Sequence, residues 1–219
     1  PVEVTLKGFN PLIPGDANAS GIPIAVLTYE VTNKTDQTID VSVCGTMRNF
    51  IGIDGSKVQR DWKGEYYHIG AKYNKNKYEE SEQIKGVFMY SDSVNVNDPA
   101  WGTMALTTAI DENSTYRTGT VPDAWGNAIL NFWDDFSDDG KLVEEDWSFD
   151  HQPMASLAII KQLKPKETKI FTFYLTWHFP NRTSWYGPDI VGNYYTEKYS
   201  DAWDVINQII PELPVLENK

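Results

Sequence analysis

The sequence IAVLTYEVTNKTDQTIDVSVCGT, residues Ile24 to Thr46, carries the clearest structural pattern in this chain. Its first nine residues alternate with the two-residue period of a β-strand. One face carries Ala25, Leu27, Tyr29 and Val31, and the other carries Ile24, Val26, Thr28 and Glu30. After the polar turn NKTDQT, the segment TIDVSVCGT alternates in the same way. Because two alternating segments around a short polar turn are typical of a β-hairpin, we predict that these two strands pair.

The segments on either side of this stretch also read as strands. The further predicted strands are VEVTLKGF (Val2 to Phe9), IKGVFMYS (Ile84 to Ser91), WGTMALTTAI (Trp101 to Ile110), ASLAIIKQL (Ala155 to Leu163) and TKIFTFYLTWHF (Thr168 to Phe179). A short helix is predicted near Ala128 to Phe136. Since strands dominate and turn-rich loops separate them, we predict a mainly β chain that folds as an antiparallel β-sandwich.

Composition and charge exclude several classes of function. The chain has 219 residues, a length that suits one sandwich domain, and 41% of them are hydrophobic. Its net charge is −12, whereas binding to nucleic acid requires concentrated lysine and arginine. The sequence also lacks an apolar run of the roughly 18 residues that a membrane-spanning helix needs. We therefore expect no nucleic-acid partner and no transmembrane segment.

An amphipathic helix is predicted near the end of the chain. Helical spacing relates Tyr195, Tyr199, Ala202, Val205, Ile206 and Ile209, and Pro211 and Pro214 bound the segment. Its apolar stripe has to be buried against another surface. The sequence leaves two alternatives open: the helix docks on its own sandwich, or it begins a linker to a second domain.

An acidic loop between α-helical and strand patterns resembles a calcium-binding loop. In DFSDDGKLVEED, Asp135, Ser137 and Asp139 take the first three ligand positions, Gly140 takes the sharp turn, and Asp146 takes the last ligand position. The alternative interpretation is an exposed acidic turn. A further hypothesis is a self-contained hydrolase that uses carboxylates of this loop, although acids adjacent in sequence do not by themselves give the spacing of a catalytic pair.

Aromatic residues in predicted loops form a second group of candidates. Exposed flat rings stack on sugars, and the candidates are Trp62, Tyr66, Tyr67, Trp101, Trp125, Trp133, Trp147 and Trp185. They are the basis of an alternative function, a free-standing carbohydrate-binding module. Packing beneath long loops is the competing explanation. The single cysteine, Cys44, lies in a predicted strand and is expected to be a small buried side chain.

Several motifs together resemble the N-terminal domain of glycoside hydrolase family 116, the β-glucosidase and non-lysosomal glucosylceramidase family. The motifs, in chain order, are LKGFNPLIPGDANASGIPIAVLTYEVTN (Leu6 to Asn33), RNFIG (Arg48 to Gly52), Phe136 with DGKL (Asp139 to Leu142), LTWHFPNR (Leu175 to Arg182) and NYYTEKYSDAWDV (Asn193 to Val205). They span most of the chain.

The resemblance implies a β-sandwich followed by an (α/α)6 barrel, so we expect a sandwich at residues 1–190 and a linker helix at 191–219 that leads to the barrel. In this family the catalytic carboxylates lie in the barrel, and no position here matches them, so no catalytic residue is assigned. The resemblance also implies that the first strands of the family domain precede Pro1.

Function follows from the same resemblance. We expect a non-catalytic domain of a retaining β-glucosidase or glucosylceramidase type of enzyme, with a β-glucoside or glucosylated lipid as substrate and no cofactor other than the calcium considered above. Residues expected at the domain interface or substrate entrance are Trp177, His178, Asn181, Arg182, Tyr194 and Tyr195. A bacterial periplasmic or cell-surface location is expected from composition and from the abrupt start in a strand.

Overall fold

The computed structural model describes residues 1–53, 58–60, 66–68, 74–121, 126–147 and 153–219, with backbone alone at 58–59 and 66–68. Within these ranges the strands are β1 Val2–Phe9, β2 Ile24–Asn33, β3 Ile39–Arg48, β4 Val58–Arg60, β5 Tyr66–His68, β6 Asn74–Glu80, β7 Ile84–Ser91, β8 Thr103–Ala109, β9 Ser114–Arg117, β10 Met154–Leu163 and β11 Thr168–His178. The helices are α1 Ala17–Ser20, α2 Asn127–Asp139, α3 Ala202–Ile209 and α4 Leu213–Leu216, with a 3₁₀ turn at Tyr194–Glu197.

Two antiparallel sheets form the body of the chain. The larger has six strands in the order β1-β2-β11-β8-β7-β6, and the smaller has three in the order β3-β10-β9. Strands β4 and β5 pair as a separate ribbon. Strand β10 of the small sheet packs against β7, β8 and β11 of the large one. The prediction of a mainly β, antiparallel sandwich is confirmed.

The alternation read from the sequence explains how the core is shared between two faces of the large sheet. The inward faces of β2 and β11 contribute to the cluster between the sheets, which contains Val31, Ile51, Val87, Met89, Met104, Leu106, Ala155, Leu157, Ile159, Leu163, Phe171 and Phe173. The predicted inward set on β11, which includes Phe171 and Phe173, is therefore confirmed. Burying aromatic and branched side chains from both sheets is what holds the layers together.

The predicted hairpin between β2 and β3 is wrong. Strand β2 pairs with β1 and β11, whereas β3 pairs with β10, so the polar turn carries the chain from one sheet to the other. Asn33 stabilises this path, because it is fully buried and its Nδ2 donates to the carbonyl groups of Gln37, Leu163 and Lys164. The Asn33 amide thus links the β2–β3 turn to the β10–β11 turn, where the chain also passes from one sheet to the other.

The terminal helix docks on the outer face of the large sheet. Helix α3 contacts β7, β8 and β11, and its Ala202, Val205 and Ile206 are fully buried. The opposite wall of this second core comes from Ile24 and Val26 of β2. Of the two alternatives left open by the sequence, docking on the sandwich is the one observed for α3; the 1–190 and 191–219 division and the linker role stay predictions.

This helix is shorter than predicted. Tyr195 lies in the 3₁₀ turn, and α3 begins only at Ala202, after Asp201 caps it by accepting a hydrogen bond from the Asp204 amide at 2.8 Å. An N-cap residue adopts extended backbone, so the helix cannot continue upstream through Asp201. Pro214 does not end a helix but lies at the start of α4. Among the described residues, no helix combines the length and hydrophobicity that crossing a membrane requires.

Candidate functional site at the loop end of the sandwich

One end of the sandwich gathers the loops that carry most of the candidate residues, and we call it the loop end. Strand β11 ends here at His178, opposite the start of β8 at Thr103. Strands β3 and β9 of the small sheet end here as well. Two loops of the large sheet are bound together, since Asn181 after β11 donates through Nδ2 to the carbonyl groups of Val96 at 2.5 Å and Asp98 at 3.0 Å, in the loop between β7 and β8.

Side chains at the exit of β11 are fixed by hydrogen bonds within the domain. His178 is buried, and its Nε2 donates to the Tyr199 carbonyl at 2.8 Å, since a carbonyl oxygen can only accept. Burial lowers the pKa of His178, and the bond to the Tyr199 carbonyl opposes that shift in part. The Tyr195 hydroxyl donates to the carbonyl of Phe179 and accepts from its amide, both at 3.1 Å. Trp177 packs on the opposite face, against the cluster between the sheets.

A short hairpin, residues 182–192, projects from this cluster. Thr183 and Ile190 form an antiparallel bridge, and the Ser184 amide donates to the Asp189 carbonyl at 2.9 Å. The tip carries Trp185 and Tyr186, which are 98% and 102% exposed. Large aromatic side chains held in water on a hydrogen-bonded turn are unusual, because their burial is favourable.

Five of the six predicted interface residues fall into two groups, and the sixth, Trp177, packs against the cluster between the sheets. His178, Asn181 and Tyr195 lie close together after β11, and their side chains donate hydrogen bonds to backbone carbonyl groups of the same domain. Arg182 and Tyr194 are exposed. Sequence reasoning assigned Trp185 to sugar stacking and missed Tyr186, although the run Ser-Trp-Tyr-Gly-Pro-Asp, with its Gly-Pro turn signal, could have indicated an aromatic tip.

A network of buried asparagines joins the two sheets at the loop end. Asn49 donates through Nδ2 to the carbonyl groups of Lys75 and Tyr90 and to Oδ1 of Asn76, at 3.0–3.1 Å. Asn74 donates in turn to the Ile51 carbonyl at 2.9 Å. The network explains why the RNFIG motif contains an asparagine, a role that sequence reasoning did not assign.

The acidic loop is organised around a buried arginine. Arg117 at the end of β9 pairs with Asp135 at 3.0 Å and donates to Oδ1 of Asn131 at 2.9 Å and to the Val143 carbonyl at 3.1 Å. Its side chain is 2% exposed, and that of Asp135 is 17% exposed. Helix α2 and the segment after it are thereby anchored to the small sheet. Gly140 ends α2 with φ of 75°, and its lack of a side chain lets the turn approach Ser42 closely.

The predicted calcium ligands do not share a common partner. Asp135 is engaged by Arg117, while Asp139 pairs with Lys141 at 3.0 Å, a bond that lowers the pKa of the Asp139 carboxyl. Ser137 lies on α2, and Asp146 is exposed in the loop beyond it. Within the described ranges, no three His, Cys, Asp or Glu side chains are grouped as metal ligands. Calcium binding here stays a prediction, and it would require Asp135 to leave Arg117.

The aromatic candidates differ in exposure. Trp133 on α2 is 53% exposed, whereas Trp101 and Trp147 are half-buried. Trp62 and Trp125 lie outside the described residues, as do the side chains of Tyr66 and Tyr67. Trp147 lines a cleft of about 380 Å³ together with Asn74 and three consecutive acidic residues, Glu144 to Asp146.

Comparison with known proteins agrees with the motifs. A solved structure titled "Putative kojibiose phosphorylase from human microbiome" matches 80% of this chain at 12% sequence identity, with a TM-score of 0.36. The match covers 16% of that protein's chain, so this chain spans a small part of its length. The sequence profile of a family described as "beta-glucosidase 2, glycosyl-hydrolase family 116 N-term" matches residues 1–215. This chain therefore belongs to the family of N-terminal domains of glycoside hydrolase family 116.

Proposed function

We propose that this chain is the non-catalytic β-sandwich of a β-glucosidase or glucosylceramidase-type enzyme, and that its loop end docks on a downstream catalytic domain in the same polypeptide. Family membership supports an accessory domain of a glycoside hydrolase. The docked loops would brace the barrel and shape the substrate entrance. A free-standing carbohydrate-binding module remains the alternative.

The observation that carries the docking proposal is the aromatic tip of the 182–192 hairpin. Trp185 and Tyr186 are almost fully exposed, and Ile190 and Val191 on the same hairpin are 49% and 56% exposed. Tryptophan and tyrosine are the side chains most often found at the energetic centre of an interface. Since the hairpin is closed by backbone hydrogen bonds, docking would cost little ordering entropy.

The test replaces both tip residues in the longer polypeptide. The variant Trp185→Ala/Tyr186→Ala should weaken domain docking by about 2 kcal/mol or more, the usual loss for truncated hot-spot residues. Docking is measured by differential scanning calorimetry, in which separation of one joint transition into two reports uncoupled domains, and by proteolysis of the linker. The fold of the sandwich itself should be unaffected, because neither side chain contributes to its core.

A matched control is Trp133→Ala, since Trp133 is also exposed but lies on α2. We expect this variant to keep the joint transition. Trp177 and Tyr195 are poorer probes of docking, because both have partners inside the domain. Unchanged coupling in the tip variant, or equal uncoupling by Trp133→Ala, would refute docking through the hairpin.

A further inference from the structure

Strand β1 forms one edge of the six-stranded sheet, and none of the described strands pairs with its outer side. Every residue from Val2 to Gly8 is exposed. Val4 and Leu6 lie opposite Val31 and Tyr29 of β2, so their side chains share the face that packs toward the small sheet. Each is nevertheless 54% exposed, because β10 of the small sheet packs over β7, β8 and β11. An apolar edge strand of this kind is a ready template for pairing with another strand.

The opposite edge of the same sheet differs in its charge. Strand β6 carries Lys75, Lys77, Glu79 and Glu80. Charged side chains along an edge strand are a common device that prevents pairing with another chain. The face of β1 that carries Val4 and Leu6 has no charged side chain. Of the two edges, β1 is therefore the one suited to an intermolecular contact.

The hydrogen bonds between β1 and β2 determine which backbone groups of β1 point outward. Val2 lies opposite Asn33, and the Lys34 amide donates to the Pro1 carbonyl at 2.8 Å. Because this bond flanks the Val2–Asn33 pair, that pair is a non-hydrogen-bonded one. The amide and carbonyl groups that point away from β2 therefore belong to the even-numbered residues, which are Val2, Val4, Leu6 and Gly8.

These outward groups limit the registers in which a second copy of β1 can pair with the first. In an antiparallel pair, even-numbered residues have to lie opposite even-numbered residues. The register centred on Thr5 meets this condition and places Val4 opposite Leu6 of the second copy. It also places Glu3 opposite Lys7 of the second copy, and Lys7 opposite its Glu3.

The charges favour this register over its neighbours. When the pair is centred on Val4 or Leu6 instead of Thr5, Glu3 and Lys7 each face an uncharged side chain. Opposite charges that face each other across two strands stabilise the pair, and side chains approach most closely in non-hydrogen-bonded pairs such as this one. The sequence of β1 is thus complementary to its own reversed copy.

We propose that β1 is a dimerisation edge, at which two copies of this chain join their large sheets into one continuous antiparallel sheet in the register centred on Thr5. The contact is two-fold symmetric, so the same residues face each other from both sides. Glu3 and Lys7 are free to take part, because their pairs with Lys34 and Glu217 lie on the surface, where an ion pair contributes little. The inference goes beyond the proposed function, since the edge runs along the side of the sheet and docking would use the loop end.

The experiment is sedimentation velocity of the 219-residue chain and of the polypeptide extended in both directions. Salt at about 150 mM screens the repulsion between two copies of net charge −12. We expect both forms to dimerise reversibly with a Kd of roughly 50 µM, since a single strand edge is a small interface.

Two charge variants test the register. Glu3→Lys leaves two lysines facing each other in each Glu3–Lys7 position, and Lys7→Glu leaves two glutamates, so each variant should weaken self-association about tenfold or more. An equal mixture of the two variants should dimerise as the wild type does, because every facing pair is again one of opposite charge. The matched control is Lys75→Glu on β6, which makes the same charge change at the other edge and should keep the wild-type Kd.

Three results would overturn the proposal. The first is a monomer at every concentration from about 10 to 500 µM, a range that spans the expected Kd. The second is a mixture of Glu3→Lys and Lys7→Glu that associates no better than either variant alone. The third is a dimer of the 219-residue chain that the extended polypeptide does not form, because another segment then covers the edge.

Discussion

Replacement of Asp135 by asparagine tests whether the acidic loop is a structural element. The substitution keeps the shape of the side chain but removes the charge that faces Arg117, whose side chain is 2% exposed. Removing one member of a buried ion pair costs about 3–5 kcal/mol, because the remaining charge is left uncompensated. Asp135 is 17% exposed, and Arg117 keeps its bonds to Asn131 and the Val143 carbonyl, so we expect the lower end, about 3 kcal/mol.

The assay is thermal and urea unfolding of the 219-residue chain. For a domain of this size, about 3 kcal/mol corresponds to a fall in Tm of roughly 6–12 °C. Asp138→Asn is the matched control on the same helix; it is exposed, and it should change the free energy of unfolding by no more than about 0.5 kcal/mol. Arg117→Met should also destabilise the chain, and the Arg117→Met/Asp135→Asn double variant should lose less than the sum of the two by about 1 kcal/mol or more.

Two results would refute this reasoning. If Asp135→Asn is as stable as Asp138→Asn, or if the two losses add, the pair with Arg117 does not anchor the loop. If calcium instead raises the Tm of the wild type and fails to do so in Asp135→Asn, the carboxylate serves the metal site predicted from the sequence.

Three further predictions concern the core and the loop end. Burial lowers the pKa of His178, so the unfolded chain takes up the proton first as the pH falls through the ordinary histidine pKa of about 6.5. The stability from this residue is full above that pH and is lost as the pH is lowered below it, and His178→Gln should flatten this part of the Tm profile. Cys44 is half-buried, not fully buried as expected from the sequence, and desolvation raises the pKa of its thiol to about 11. Iodoacetamide at pH 7.5 should therefore alkylate Cys44 more slowly in the folded chain than in urea, and equal rates would contradict this. Asn49→Asp places a carboxylate oxygen against the carbonyl groups of Lys75 and Tyr90 and should cost about 3 kcal/mol or more, whereas Asn95→Asp in an exposed turn should be neutral in urea unfolding.

The alternation of apolar and polar residues was enough to predict the fold class and to predict which side chains of a strand share a face. Leu27 and Val31 face the other sheet, and Ile24 and Val26 face the terminal helices, as their two-residue period indicates. Periodicity is a local property, and it does not specify which strand lies beside which. The buried amide of Asn33 stabilises the crossing of the chain from β2 to β3, and two of its acceptors, Leu163 and Lys164, lie 130 and 131 residues away.

The sequence motifs indicated where the candidate site lies, but they did not predict which residues contact each other there. The LTWHFPNR and NYYTEKYSDAWDV motifs led to the loop end, where His178 and Tyr195 meet. Helical spacing suggested one helix through Tyr195 and Ile209, but the Asp201 cap divides it, because a local hydrogen bond outweighed the continuous apolar pattern. The role of Arg117 could not be read from sequence, since its partners Asp135 and Val143 come from a helix and loop whose position only the folded chain defines.

Hydrolysis of an aryl β-glucoside is the most direct test of the central claim that this domain is accessory to a catalytic partner. The substrate is offered to the 219-residue chain alone and to the polypeptide extended through its downstream region. The account predicts hydrolysis by the extended form and none by the isolated chain. Hydrolysis by the isolated chain, abolished by Asp135→Asn or Glu145→Gln, would contradict it and make the acidic loop an active site.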